Sequence, residues 1–304
     1  MTSKISAWIS AARLRTLPLS ISGIVVGAAL ALKADAFNST IFILSLLTTI
    51  GLQVLSNFAN DYGDGVKGTD NEDRVGPMRA IQSGMITDAE MKKGIILTVI
   101  LTFLMAVALI YVSFGQDNFI ISLIFLVLGI GGIAAAILYT VGKSAYGYKG
   151  LGDVFVFIFF GLVSVLGSTF LYTQELQIMY IFPALAIGLW STAVLNLNNL
   201  RDVVGDQNAN KNTLVVKMGY NNGKKYHAGL IFGGILAVLV YGLYAEIPLY
   251  YWVTLIPCAL LIGHLKRVLP EKMPVRLDPE LKKVALSTFL FSVMFLGIIV
   301  ASSI

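Results

Sequence analysis

Two short stretches of this 304-residue chain gather carboxylates with basic side chains among them. In residues 57–84 (NFANDYGDGVKGTDNEDRVGPMRAIQSG), Asn60 and Asp64 stand at i, i+4 and Asp61 and Asp64 at i, i+3. On a helix those positions share a face. Asp70, Glu72 and Asp73 follow, and further along Asp202 and Asp206 repeat the i, i+4 spacing. Like charges so placed cost roughly a few tenths of a kcal/mol on a bare helix. A divalent cation turns the repulsion into chelation. Mg2+ suits the donors, because it takes oxygen ligands and commonly uses one or two carboxylates plus the phosphates of a substrate. The single cysteine, Cys258, and two histidines far apart in sequence, His227 and His264, offer no zinc set. Lys67, Arg74, Arg79, Arg201, Lys211 and Lys217 lie among the carboxylates. That mixture binds an oligo-anion both through a metal and by direct charged hydrogen bonds. Lys92, Lys93, Lys224, Lys225 and the basic residues of 266–283 read instead as orientation signals or lipid-headgroup contacts.

The elements that carry these groups must sit in lipid. The chain is 57% hydrophobic and 13% charged, with a mean hydropathy of +0.80, whereas a soluble domain carries about 25% charged residues. A span needs about 20 mostly apolar residues. Nine stretches qualify: 17–33, 41–60, 94–114, 118–140, 151–172, 178–197, 228–245, 248–268 and 285–304. Each is expected to be helical, since backbone polar groups in lipid must be satisfied within the segment. Residues 1–16, with Lys4, Arg13 and Arg15 between Ile5, Trp8 and Ile9, read as an amphipathic segment on the membrane surface. Every Lys and Arg but Lys33 falls before the first span or in the loops 61–93, 141–150, 198–227 and 264–284. By the positive-inside rule these loops and the N-terminus are cytoplasmic and the C-terminus is outside. The net charge of +5 is thereby explained by orientation, and no nucleic-acid partner is expected. Asn60-Asp61-Tyr62-Gly63-Asp64 closes the second span and Asn198-Asn199-Leu200-Arg201-Asp202 the sixth. This four-helix offset predicts two similarly oriented four-helix repeats plus one further helix, a single all-α integral membrane domain over 1–304. Parallel repeats commonly place a site at their interface.

The paired motifs resemble the UbiA superfamily of intramembrane prenyltransferases. Asn60 and Asp64 match the first two positions of its Asn-x-x-x-Asp-x-x-x-Asp motif, with Gly68 at the third and Asp70 two residues on. Asp202 and Asp206 match its second motif fully. Within the superfamily the likeness is to the menaquinone-pathway branch that uses 1,4-dihydroxy-2-naphthoate, at residues 13–18, 60–70, 74–84, 139–161 and 198–219, nearly the whole chain. Gly68-x-Asp70 is the pattern of that branch, and Asp153 stands where Glu is expected. The resemblance implies that Asn60, Asp64, Asp202 and Asp206 hold Mg2+ under a polyprenyl diphosphate, with Asp61 and Asp70 in support. Arg13, Lys67, Arg79, Lys143, Arg201 and Lys211 would take the remaining diphosphate charge, stabilising the leaving group. An allylic cation would then face aromatic rings, with Tyr62, Tyr139 and Tyr146 as candidates, and the naphthoate would attack it with decarboxylation. Asp64, Asp202, Asp206, Arg79, Lys143 and Tyr139 form the implied catalytic set, in a bacterial cytoplasmic (inner) membrane. The lipid setting follows from the donor, since each buried CH2 contributes about 0.8 kcal/mol and a long prenyl chain stays in the bilayer.

Two other readings are open to the sequence. A cation-coupled transporter would use nine helices in a pseudo-repeat, but transporters place ionisable groups near the bilayer midplane, and here they gather at span ends. The same fold with another acceptor, such as 4-hydroxybenzoate, homogentisate, haem or a chlorophyll precursor, is the other. Replacing Asp64 or Asp202 by Ala is expected to abolish prenyl transfer while the chain still inserts. Turnover near the parent rate in purified membranes would disprove the metal assignment.

Overall fold

The computed structural model describes residues 4–67, 79–116, 118–245 and 249–302. Its helices are α1 (Lys4–Ala12), α2 (Leu17–Lys33), α3 (Ser39–Val66), α4 (Asp88–Phe114) and α5 (Phe119–Leu138). They continue with α6 (Gly152–Thr173), α7 (Ile178–Arg201), α8 (Tyr220–Tyr244), α9 (Leu249–Val268) and α10 (Pro274–Ser302). Among the described residues, nine helical segments are long and apolar enough to cross a membrane, α1 and α2 counting as one. This is an all-α integral membrane protein. Ile96, Leu97, Ile100 and Leu104 of α4 and Ile120, Leu123, Ile124 and Val127 of α5 are exposed. An outward face of large apolar side chains is stable only against lipid tails.

Several helices run beyond the ends that hydropathy sets. The second span continues as helix to Val66, so Asn60, Asp61 and Asp64 do share one helix. The sixth runs to Arg201, the seventh starts at Tyr220 and the ninth at Pro274. These extensions are polar, so a hydropathy window stops short of them. Local capping fixes other ends. Asn38 accepts hydrogen bonds from the backbone N–H of Thr40 and Ile41 (2.9 and 3.2 Å) to start α3. Thr87 and Glu90 form a reciprocal capping box at the start of α4.

The main core lies where α7 is enclosed by α2, α6, α8 and α10. Trp190 is fully buried there, packs edge-on against Phe291 at 5.2 Å and donates its indole N–H to the carbonyl of Ile231 (3.2 Å). A smaller cluster of Ala7, Ala11, Phe58, Ile86 and Met91 packs α1 against α3 and α4. The surface segment foreseen in the sequence is therefore partly an internal one: Ile5 and Ile9 are exposed while Ala7 and Ala11 are buried.

Small residues set the closest approach of the two helices that flank the polar end. A Cβ on Gly161 of α6 would lie 2.6 Å from the Gly188 Cα of α7, so the backbones touch. Residues 157–167 of α6 run as π-helix. Gly161→Ala inserts a methyl where none fits, and overpacking of this kind costs about 1–3 kcal/mol. A lowered thermal midpoint in detergent is the expected outcome.

Candidate active site

The polar end of the bundle is assembled around α3. Asn57 donates its amide to the Ala12 carbonyl (2.9 Å) and pins the break between α1 and α2 against α3. Arg13 sits at that break with φ of 49°, a left-handed conformation unusual for a residue with a side chain. Its guanidinium reaches Asp61, and Arg79 Nη1 meets the same Asp61 Oδ1 at 3.1 Å. Asp61 is only 1% exposed. Two guanidiniums thus share the charge of Asp61, the residue that the sequence places in support of the metal.

Asp64, one turn further on, is also buried. Its Oδ1 accepts a hydrogen bond from the Tyr148 hydroxyl (2.8 Å). Lys67 lies over the Tyr148 ring, 4.0 Å from its centre, and donates to the Thr140 carbonyl (2.7 Å). Lys211 faces the same ring at 5.3 Å. Thr140 donates its hydroxyl to the Asn60 side-chain oxygen (3.2 Å). This loop can lie so close to α3 only because residue 63 is glycine: a Cβ there would sit 2.6 Å from Thr140 Oγ1 and 2.8 Å from its carbonyl carbon.

The second motif approaches from the far side. Asp206 ends up 3.7 Å from the Lys211 ammonium, in a turn closed by the Lys211 N–H on the Asp206 carbonyl (2.8 Å). The Asn212 N–H bonds the Tyr148 carbonyl (3.1 Å) and stitches this turn to the loop that carries Tyr148. Burial pushes the Asp206 carboxyl up to about 6, with Asp202 and Asp64 adding to the rise against the opposing pull of Lys211. Burial works to discharge Lys211, but Asp64 and Asp206 outweigh it and hold its pKa above the usual lysine value. Burial likewise raises Tyr139 to about 12 against the pull of Lys211, with Asp64, Asp206 and Asp153 adding to the rise. Its phenol therefore stays neutral, as does that of Tyr146, also raised by burial.

The rings continue into the bundle. Tyr139 packs edge-on against Tyr146 (5.3 Å), Tyr146 stacks on Phe155 (4.0 Å) and Phe155 on Phe159 (6.3 Å). Phe155 and Phe159 had no motif to single them out. Tyr62 is elsewhere, beneath Lys92, whose ammonium lies 5.3 Å from its ring centre, and it leaves the candidate list. Asp153 is buried in the first turn of α6.

Arg201 meets three partners. Its Nε and Nη2 donate to both oxygens of Asp202 (2.7 and 2.6 Å), Nη1 to Asp278 (2.6 Å) and Nη2 to Asn198 (2.8 Å). Its side chain is 5% exposed. Both Asp202 oxygens are occupied by it. Lys143 is exposed on the Tyr139–Gly150 loop. Asp70 lies outside the described residues.

The site thus brings together Asn60, Asp64, Lys67, Tyr139, Asp206 and Lys211, with Arg13 and Arg79 alongside. Tyr148, Thr140 and Asp278 were missed. Tyr148 is two residues from Tyr146, and only the 3₁₀ turn over Tyr146–Lys149 decides which ring meets the carboxylate. Among the described residues no three His, Cys, Asp or Glu side chains converge on one point. Two carboxylates with the Asn60 oxygen nearby still suit Mg2+, which completes its shell with waters and substrate phosphates.

The fold and the paired carboxylates define an intramembrane prenyltransferase class. Residues 20–276 match the model of the UbiA prenyltransferase family, and the chain belongs to that family. It is 43% identical to the 1,4-dihydroxy-2-naphthoate octaprenyltransferase of Escherichia coli (strain K12), over 97% of this chain and 96% of that protein. It is 42% identical to the enzyme of the same name from Haemophilus influenzae, over 98% and 97%. A UbiA homologue from Archaeoglobus fulgidus, solved with GPP and Mg2+, has the same fold: TM-score 0.68 at 15% identity, covering 98% of this chain and all (100%) of that one.

Asp61→Asn is expected to leave Arg13 and Arg79 without their buried counter-charge and to destabilise the protein by about 3 kcal/mol. Titration with Mn2+ and inorganic pyrophosphate separates the two roles. If Asp61 were a ligand, Asp61→Asn and Asp64→Asn would weaken Mn2+ binding alike, whereas only Asp64→Asn is expected to do so.

Proposed function

We propose that this protein transfers a polyprenyl group from polyprenyl diphosphate to 1,4-dihydroxy-2-naphthoate with loss of carbon dioxide, giving demethylmenaquinol for menaquinone synthesis. The observation that carries the reading is the meeting of Asp64 and Asp206, buried on either side of Lys211 at one end of an apolar bundle. The acceptor is supported by the relatives from E. coli and H. influenzae, which are similar along nearly their full length.

Each group has a distinct task. Asn60, Asp64, Asp206 and, once Arg201 releases it, Asp202 would hold Mg2+, which supplies neutralising charge to a bound diphosphate. Lys211 and Lys67 would meet diphosphate oxygens directly, and Arg13 and Arg79 would add to the positive field on the same anion. Lys143 would close on it from the exposed loop. As the C–O bond breaks, the electron pair leaves with the diphosphate, and these cations stabilise the charge where it develops. The faces of Tyr139, Tyr146 and Phe155 stabilise the allylic cation left behind. Because the phenols remain protonated, they neither trap that cation as phenoxides nor draw charge from Lys211. Carbon–carbon bond formation to the naphthoate ring and departure of the carboxylate as carbon dioxide balance without a further reactant.

The charge distribution supports a bacterial cytoplasmic membrane location with the N-terminus and site inside and the C-terminus outside. Purified protein in lipid with Mg2+, a polyprenyl diphosphate and 1,4-dihydroxy-2-naphthoate is expected to yield the prenylated, decarboxylated quinol, and EDTA to stop it. Product with 4-hydroxybenzoate and none with the naphthoate would overturn the acceptor.

A further inference from the structure

Asp202 belongs to the second carboxylate motif, yet both of its oxygens are held by Arg201. If Asp202 is to serve a metal-bound diphosphate, Arg201 must release it. A guanidinium this deeply buried cannot simply be left unpaired, because stripping one partner from a buried ion pair is strongly destabilising. A second carboxylate is already in place. Asp278 accepts from Arg201 Nη1 at 2.6 Å, while Asn198 accepts from Nη2 at 2.8 Å. If Asp202 swings away, Arg201 keeps one full negative charge and one neutral acceptor.

The position of Asp278 is itself fixed. It opens the α-helical part of α10 (Asp278–Ser302), just after the 3₁₀ turn over Pro274–Leu277, with Glu280 two residues on. Glu280 is buried in a chain of its own: its Oε2 meets His264 Nδ1 at 2.6 Å, and His264 Nε2 meets His227 Nε2 at 2.8 Å. Arg267 Nε donates to Glu280 Oε1 (2.9 Å), and Lys283 reaches the same oxygen. This network ties this part of α10 to α8 and α9, and leaves Asp278, whose side chain is 52% exposed, aimed at Arg201. Asp278 also lies just beyond the stretch that matches the family model, which ends at residue 276.

We infer that Asp278 is a positioning residue for the second motif: it competes with Asp202 for Arg201 and so sets how readily Asp202 turns to a metal-bound diphosphate. The inference rests on the reading of Asp202 as part of the metal–diphosphate site. Without Asp278, Arg201 has Asp202 as its only carboxylate among the described contacts and grips it more firmly. The direction is therefore fixed: removing the Asp278 charge weakens metal and diphosphate binding although Asp278 touches neither.

The test compares the parent chain with Asp278→Asn, Asp278→Ala and Asp278→Glu in lipid nanodiscs. Mn2+ binding is read by electron paramagnetic resonance in the presence of inorganic pyrophosphate, and the Mg2+ dependence of turnover is read separately. Asp278→Asn and Asp278→Ala are expected to weaken Mn2+ binding and to raise the Mg2+ needed for half-maximal rate by about tenfold, with kcat at saturating Mg2+ within about twofold of the parent. Asp278→Glu is expected to restore most of the affinity. A lowered thermal midpoint with unchanged Mn2+ binding would show a purely structural tie between α7 and α10 and overturn the proposal. So would tighter Mn2+ binding in Asp278→Ala. If the parent chain and every variant fail to bind Mn2+ with pyrophosphate, the metal reading falls and the positioning role with it. Equal binding by all four chains removes the positioning role alone.

Discussion

Everything at the polar end of this bundle depends on bringing Asp64 and Asp206 together away from water without letting them repel. Burial favours the protonated form of Asp206, and the nearby charges of Asp202 and Asp64 add to the rise in its pKa. Lys211 makes the arrangement possible. Its ammonium is held in the charged state by Asp64 and Asp206, against the burial that would otherwise discharge it. The proposed Mg2+ and diphosphate would enter a cluster whose charges are already balanced around Lys211.

The surrounding polar residues serve to keep that cluster in register. Tyr148 fixes Asp64, and the bond between its backbone and Asn212 couples the loop after α5 to the turn after α7. Arg13 and Arg79 converge on Asp61, and Arg201 is shared between Asp202 and Asp278. Each motif thus contains one carboxylate beside Lys211 and one paired with arginine. The pairing explains why so many charges can share a small space at the edge of a membrane. It also separates groups that bind from groups that hold, a division that residue type alone does not reveal.

The rings of Tyr139, Tyr146, Phe155 and Phe159 connect this cluster with the interior. They lie on the loop after α5 and on α6, whose backbone meets α7 at Gly161 and Gly188. Aromatic surface, neutral phenols and a nearby positive cluster form a graded environment, from an anion-binding end to an apolar one. That order matches a substrate with a charged head and a long hydrocarbon tail.

The nine spans found among the described residues and their helical nature were legible in the sequence, because lipid imposes a length and a hydropathy on each span. The motif carboxylates were legible too, since their spacing is a property of a single helix. What the tertiary structure decided was how charge is distributed among them. Asp61 and Asp64 are equivalent on a helical wheel, yet one faces Arg13 and Arg79 and the other faces Tyr148 and Lys211. Arg201 reads as a phosphate ligand beside its motif and is paired because α10 brings Asp278 to it from 77 positions away. Tyr62 reads as a site ring and is turned toward Lys92. Partner choice among charged side chains depends on which helices are neighbours and on how each loop bends, and those are settled by packing across the whole bundle rather than by local spacing.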